Sequence, residues 1–375
     1  MNPFPLGGYA RTSRAAPPNP PGGALSRIAA AALVLGACAR EGQPQPTEGD
    51  PQAPAKATPS AVTATSVTPA ASAAPRPAPK ELDVEADPVR RELLHAPIKS
   101  VALVGWSRPG MFGVTLERRD PPRLAPALLL LALAEHPVAY RGSLAFERLA
   151  RALGMRVVPA AVLRRIGTGE LGALFAGQRD LRDYLSLHAA VQNDGTVDAL
   201  MFAPGRGDGP GAWALPAGHN VTLDHSLEAE TWARWAAAPD PLPGERTALL
   251  ADYVETLVLD YLTGHVLRRA VHFDDVAGEI HLTDNAAAFP SKVDPRALDV
   301  LLSRLRPVAR FPRGLQQALL ALDRDHARDL LASGPFETWL VSPRTLVDLD
   351  ERRKSLLTLI SARVAERGEP AVLSL

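Results

Sequence analysis

One tract limits this chain more than any other. Residues 41–80 read "EGQPQPTEGDPQAPAKATPSAVTATSVTPAASAAPRPAPK". They are rich in Pro, Ala, Thr and Ser and poor in large apolar side chains, so they bury too little surface to offset the entropy of ordering. Spaced prolines favour an extended course, and residues 39–80 read as a spacer. Any hydrophobic core must be built from residue 81 onward. The 41 basic and 41 acidic residues cancel, and zero net charge argues against nucleic acid as a partner, because phosphate backbones select a basic excess.

The segment before the spacer reads as an address. Arg11, Arg14 and Arg27 precede the apolar run "IAAAALVL" from Ile28 to Leu35, and "LGAC" ends at Cys38. The run is too short to cross a bilayer, and small residues before the cysteine suit signal-peptidase cleavage. The L-G-A-C string resembles the lipobox of bacterial lipoproteins. That resemblance implies lipidation at Cys38, a membrane partner reached through the lipid, and a place in the bacterial cell envelope. Ala39 stands where an aspartate commonly retains lipoproteins at the inner membrane, so the analogy favours the outer one. As the sole cysteine, Cys38 also excludes an internal disulfide and a Cys-rich zinc site. The expected organisation is a signal peptide over 1–38, a spacer over 39–80 and one folded domain over 81–375.

Within that domain strands come first and helices later. "SVALVGW" (100–106) and "FGVTLERR" (112–119) predict two strands around a turn. "LAPALLLLALAEH" (124–136) is a buried strand or a short core helix, which periodicity alone leaves open. "YRGSLAFERLARALGM" (140–155) predicts an amphipathic helix with Gly154 as its stop. "RVVPAAVLRRI" reads as a strand, and "LSLHAAVQNDGTVDALMFAP" as two strands around Asn193-Asp194-Gly195. Helices dominate from Ser226, interrupted by a short "EIHL" strand. The expected fold is α+β with two lobes, the first near 81–203 and the second near 221–375, and a site in the cleft between them.

Three stretches carry a resemblance. "SLAFERLARALGMRVVPAAVLRR", "AVQNDGTVDALMF" and "LDYLTGHVLRR…IHLTDNAAAFPSKVDPRALDVLLSRLRPVARFP" resemble the secretory-pathway kinases of the Golgi casein-kinase type and their bacterial lipoprotein relatives, in the protein-kinase-like superfamily. The similarity runs from Tyr140 to Leu322. It implies a small mixed-sheet lobe with one central helix, a mostly helical second lobe, and ATP with Mg or Mn as the natural cofactors. Such chemistry needs a lysine on the phosphates, a glutamate holding it, a carboxylate on the attacking hydroxyl and another on the metal.

The resemblance places the metal aspartate on Asp284, followed by Asn285 as in the family. The family's G-N-x-D-R reads here Gly264-His265-Val266-Leu267-Arg268, so leucine occupies the acid position and cannot accept a proton. The helix glutamate falls on Ser143, with Glu147 one turn later. The strand near 126–136 offers no lysine or arginine; Arg123 and Arg141 lie outside it. The resemblance therefore implies a pseudokinase that binds a nucleotide, a peptide, or a partner protein such as an active relative. Arg268, His265 and Asn285 are its candidate ligand contacts and Asp284 its candidate metal ligand. Two alternatives stand beside it: an active atypical kinase drawing carboxylates from Glu147, Asp274 or Asp275, and a structural lipoprotein whose cleft has collapsed around Leu267.

Other chemistries fit less well. His265, His272 and His281, with Asp274 and Asp275, offer zinc-ligand types, yet their spacing matches no helical-face motif. No G-x-S-x-G is present, and "PGRGDGPGAW" lacks the ending of a phosphate loop.

Overall fold

A computed structural model describes residues 87–103, 110–119, 122–203, 218–332 and 339–375. The signal segment, Cys38 and the spacer lie outside the described residues.

The first element is one the sequence reading did not foresee. Helix α1 (Pro88–His95) starts on Asp87, whose side chain accepts hydrogen bonds from the backbone N–H of Val89 and Arg90. Aspartate at the cap and proline in the first turn are a helix-start signal, here written into a stretch taken as the domain's edge.

Strands β1 (Ile98–Leu103), β2 (Met111–Arg119) and β3 (Pro122–Leu131) form an antiparallel meander. β4 (Ala161–Gly167) and β5 (Thr196–Phe202) complete a five-stranded sheet in the order β1-β2-β3-β5-β4. The ambiguous leucine run is a strand. Ala127, Leu128, Leu129 and Leu131 are all buried, so the run has apolar neighbours on both faces and shows no alternation. Between β3 and β4 lies α2 (Ala139–Ala152), which buries Leu144, Ala145, Phe146 and Leu149.

Residues 185–188 correct an expectation. After α3 (Thr168–Leu174) they close α4 (Arg179–His188), so "LSLH" ends a helix rather than opening a strand. A strand would put Leu185 and Leu187 on one face. Instead Leu181 and Leu185, four apart, are buried, and Leu187 is 78% exposed. Of the expected pairing an isolated bridge from Val191 to Val197 remains, while Ala189 bridges to Leu133 instead.

The second lobe holds α5 (Leu227–Ala237), α6 (Gly244–Thr263), α7 (Pro295–Leu305), α8 (Leu315–Ala321), α9 (Arg324–Ala332), α10 (Pro343–Arg367) and α11 (Glu369–Val372). A small antiparallel sheet joins them, with β6 (His219–Thr222), β7 (Ala270–Asp274) and β8 (Glu279–His281) in sequence order. From Asp252 to Thr263 every residue of α6 is buried, as in a helix packed on all sides. It stops at Gly264, which is left-handed at φ 65°. A Cβ there would lie 2.8 Å from Val293 Cγ2, so both the backbone angle and the space demand glycine. Among the described residues, no helix is long and apolar enough to cross a membrane.

Candidate functional site

Two segments meet where α6 ends and β8 ends. The first is the 264–269 loop between α6 and β7. The second begins at Leu282, whose N–H donates to the Val157 carbonyl at 2.9 Å, and runs to Phe289, whose N–H donates to the Thr263 carbonyl at 3.0 Å.

Arg268 ties them together. Its Nε donates to Asp260 Oδ1 and Oδ2 at 2.8 and 2.9 Å. Nη1 donates to the Asp284 carbonyl at 3.1 Å, and Nη2 to Asn285 Oδ1 at 2.8 Å. The Asn285 amide donates in turn to the Leu282 carbonyl at 2.7 Å. Arg268, Asp260 and Asn285 are all buried. A buried charge persists only when paired and hydrogen-bonded, and this one is. Arg268 and Asn285 were expected as ligand contacts. Within the fold their side chains make these bonds, and Arg268 also lines the cavity beside Asp284.

Asp284 itself is exposed. It lines a cavity of about 420 Å³ together with His265, Leu267, Arg269, His272 and His281. Leu267 is 66% exposed at this cavity. The collapsed-cleft alternative required Leu267 packed inside and no space near Asp284, and the structure corrects it on both points.

His265 is buried, and neither ring nitrogen has a hydrogen-bond partner. Its ring meets Phe146 of α2 edge-on, with centroids 6.3 Å apart. Burial, reinforced by the Arg268 charge, holds its pKa below the usual histidine value. His272 and His281 are register partners across β7 and β8, with ring centroids 6.4 Å apart. Even so, the described residues contain no group of three or more His, Cys, Asp or Glu side chains arranged to hold a metal. The zinc-hydrolase reading finds no support in that geometry.

The carboxylates proposed for an active kinase lie elsewhere. Glu147 is buried and forms an ion pair with Arg90 of α1. Asp274 Oδ1 accepts from the N–H of Val276 and Ala277, both at 2.9 Å, within the β7–β8 turn. Asp275 Oδ2 lies 3.1 Å from His219 Nδ1. None of the three lines the Asp284 cavity. Ser143 is buried in α2. One turn from its start, α2 touches the site through Gly142, where a Cβ would lie 2.7 Å from the Ala286 carbonyl oxygen and 3.1 Å from that of Ala288. Sequence reasoning missed Gly142, Phe146 and Asp260. Of these only the Asp260–Arg268 pair left a trace, an acidic residue in the last turn of an otherwise apolar helix end.

No family model matches the chain, and no curated protein matches it in sequence. Solved structures do match. The crystal structure of the Golgi casein kinase superposes with a TM-score of 0.51 at 15% identity, covering 74% of each chain. The structure of that kinase with Mn/ADP bound gives 0.52 at 15% identity, covering 76% of this chain and 77% of the other. At such identity the shared property is the fold. This chain has the two-lobed, protein-kinase-like α+β fold of the Golgi casein kinase, with a leucine facing the cavity where the resemblance places an acid.

Proposed function

We propose that this protein binds through its kinase-like cleft and transfers phosphate weakly or not at all, held at the bacterial cell envelope by a lipid on Cys38. The observation that carries this reading is Leu267. Its side chain stands exposed at the cavity that Asp284 lines, and among the described residues no other carboxylate lines that cavity to receive a hydroxyl proton. The strand that would carry a phosphate lysine, β3, contains none.

The residues present fit a metal–nucleotide pair in part. Asp284 offers one exposed carboxylate, whereas the Asn285 side-chain amide is already engaged within the fold. A divalent ion bound there would bridge nucleotide phosphates, and phosphate oxygens would have to complete its shell. Arg269 supplies a further cation at the cavity edge. The Golgi casein kinase structure with Mn/ADP bound makes this pair the first to try.

The test is a thermal shift on residues 81–375 with ATP, ADP and GTP, each with Mg²⁺ or Mn²⁺. A ligand that binds the native state raises the melting temperature. A metal-dependent rise, lost in Asp284→Ala and unaccompanied by phosphate transfer, is the expected result. Phosphotransfer that vanishes in Asp284→Ala would overturn the reading. With no shift for any nucleotide, the nucleotide part fails and the ligand must be sought among envelope peptides and proteins.

A further inference from the structure

We propose that α1 is a strap that fixes the position of α2, and through it the walls of the Asp284 cavity. Displacement of α1 would then be felt at the site. The inference builds on the reading of that cavity as the binding site, and adds its regulation.

Glu147, in the middle of α2, is 3% exposed. A carboxylate so placed requires a close cation. Within α2, Arg151 Nε is 3.9 Å away, and Arg148 Nη1 donates to the Leu330 carbonyl at 3.2 Å. The close partner comes from α1. Arg90, itself buried, forms one ion pair with Glu147 and another with Asp87. Asp87 also caps α1. One guanidinium thus joins the start of α1 to the middle of α2.

Packing also attaches α1: Leu93 within the helix and Ala96 just beyond it are buried, and Leu94 packs partly buried on the core. Arg164 Nη1 adds a hydrogen bond to the Ala96 carbonyl at 2.7 Å. The Arg90 ion pairs add to that packing a tie that runs directly to α2, and α1 is the first described element after the proline-rich spacer.

The remaining contacts of α2 lead to the site. Phe146, next in the chain to Glu147, packs on the His265 ring and lies 5.3 Å from Arg268 Cζ. Gly142 abuts the carbonyls of Ala286 and Ala288, just past Asp284. If Arg90 withdraws, position 147 keeps a buried charge without its close partner. The helix relieves that by turning or sliding, and residues 142 and 146 move with it. A packed interface of this kind has discrete arrangements, so a small shift at α1 is passed on to the 282–289 segment.

The test needs no ligand. Hydrogen exchange is measured on the full chain for the wild type, Arg90→Ala, Arg90→Lys and the double variant Arg90→Ala/Glu147→Gln. Arg90→Ala should speed exchange on the order of tenfold in α1, in α2 and in residues 282–289, and leave α10 unchanged. The double variant removes the stranded charge and should return 282–289 toward wild type while α1 stays loose. Loosening of α1 with wild-type protection at 282–289 would overturn the strap. Should Arg90→Ala unfold the chain, Arg90→Lys decides: it keeps the charge with poorer geometry, and wild-type exchange at 282–289 in that variant refutes the proposal. The nucleotide reading stands or falls separately, on the thermal shift of the wild type.

Discussion

Replacing Gly142 with alanine sets two opposed effects against each other at the joint between α2 and the site. Inside a helix, alanine is favoured over glycine by up to about 1 kcal/mol. Against that, the new Cβ would sit 2.7 Å from the Ala286 carbonyl oxygen, where ordinary contact begins near 3.4 Å, so something must yield by roughly 0.7 Å. The obstacle is backbone, and that backbone is held at both ends. Arg268 bonds the Asp284 carbonyl and Asn285, and the Phe289 N–H bonds the Thr263 carbonyl. Overpacking of this kind costs about 1–3 kcal/mol. The net effect expected is a loss of up to about 2 kcal/mol. Gly172, inside α3, is the control, because a Cβ there meets nothing within 4 Å. Gly172→Ala should gain up to about 1 kcal/mol by propensity alone. Urea unfolding of the two variants beside the wild type measures both effects, with the midpoint compared at constant slope. If Gly142→Ala stabilises as much as Gly172→Ala, the close approach of α2 to the 286–288 carbonyls is not real, and the path from α1 to the cavity loses its middle link.

Other expectations follow from the same geometry. Arg268→Ala leaves Asp260 buried without its cation and should lower stability by about 3–5 kcal/mol in denaturant titration; adding Asp260→Asn should recover part of that loss. Leu267→Asp changes an exposed side chain, so stability should stay within about 0.5 kcal/mol. A labelled-phosphate assay on that variant should remain blank, because restoring the acid does not supply the missing lysine on β3. His265 titrates below its ordinary value of 6.5 when folded, so below pH 6.5 the unfolded chain binds the proton first. Its contribution to stability is therefore present above pH 6.5 and is lost as pH falls toward the folded value. The slope of unfolding free energy against pH between 7.5 and 5.5 should be shallower in His265→Leu than in the wild type.

The sequence carried the lobe order and most strands because their hydrophobic runs match the elements they form. It placed helices from Ser226 onward, and α6 is among them. It lost α4 because "LSLH" satisfies a two-residue alternation locally, and only the pair Leu181 and Leu185, seen over a longer window, reveals the helical face. At the site, the motif placed Asp284 and Leu267 at one cavity. It did not show the bonds that Arg268, a candidate ligand contact, makes within the fold, because nothing in the motif announces that Asp260, eight residues earlier, faces it. Nor could it show that Glu147 turns to Arg90, since that partner lies 57 residues away in a stretch taken for the domain's edge.

The Arg268 clamp has a kinetic consequence. Its bonds to Asp260, to the Asp284 carbonyl and to Asn285 hold the cavity's inner wall before any ligand arrives. A molecule entering there meets a surface that is already set and repays little ordering entropy. Its association should be a single phase, with an observed rate that climbs linearly with ligand concentration and reaches no plateau.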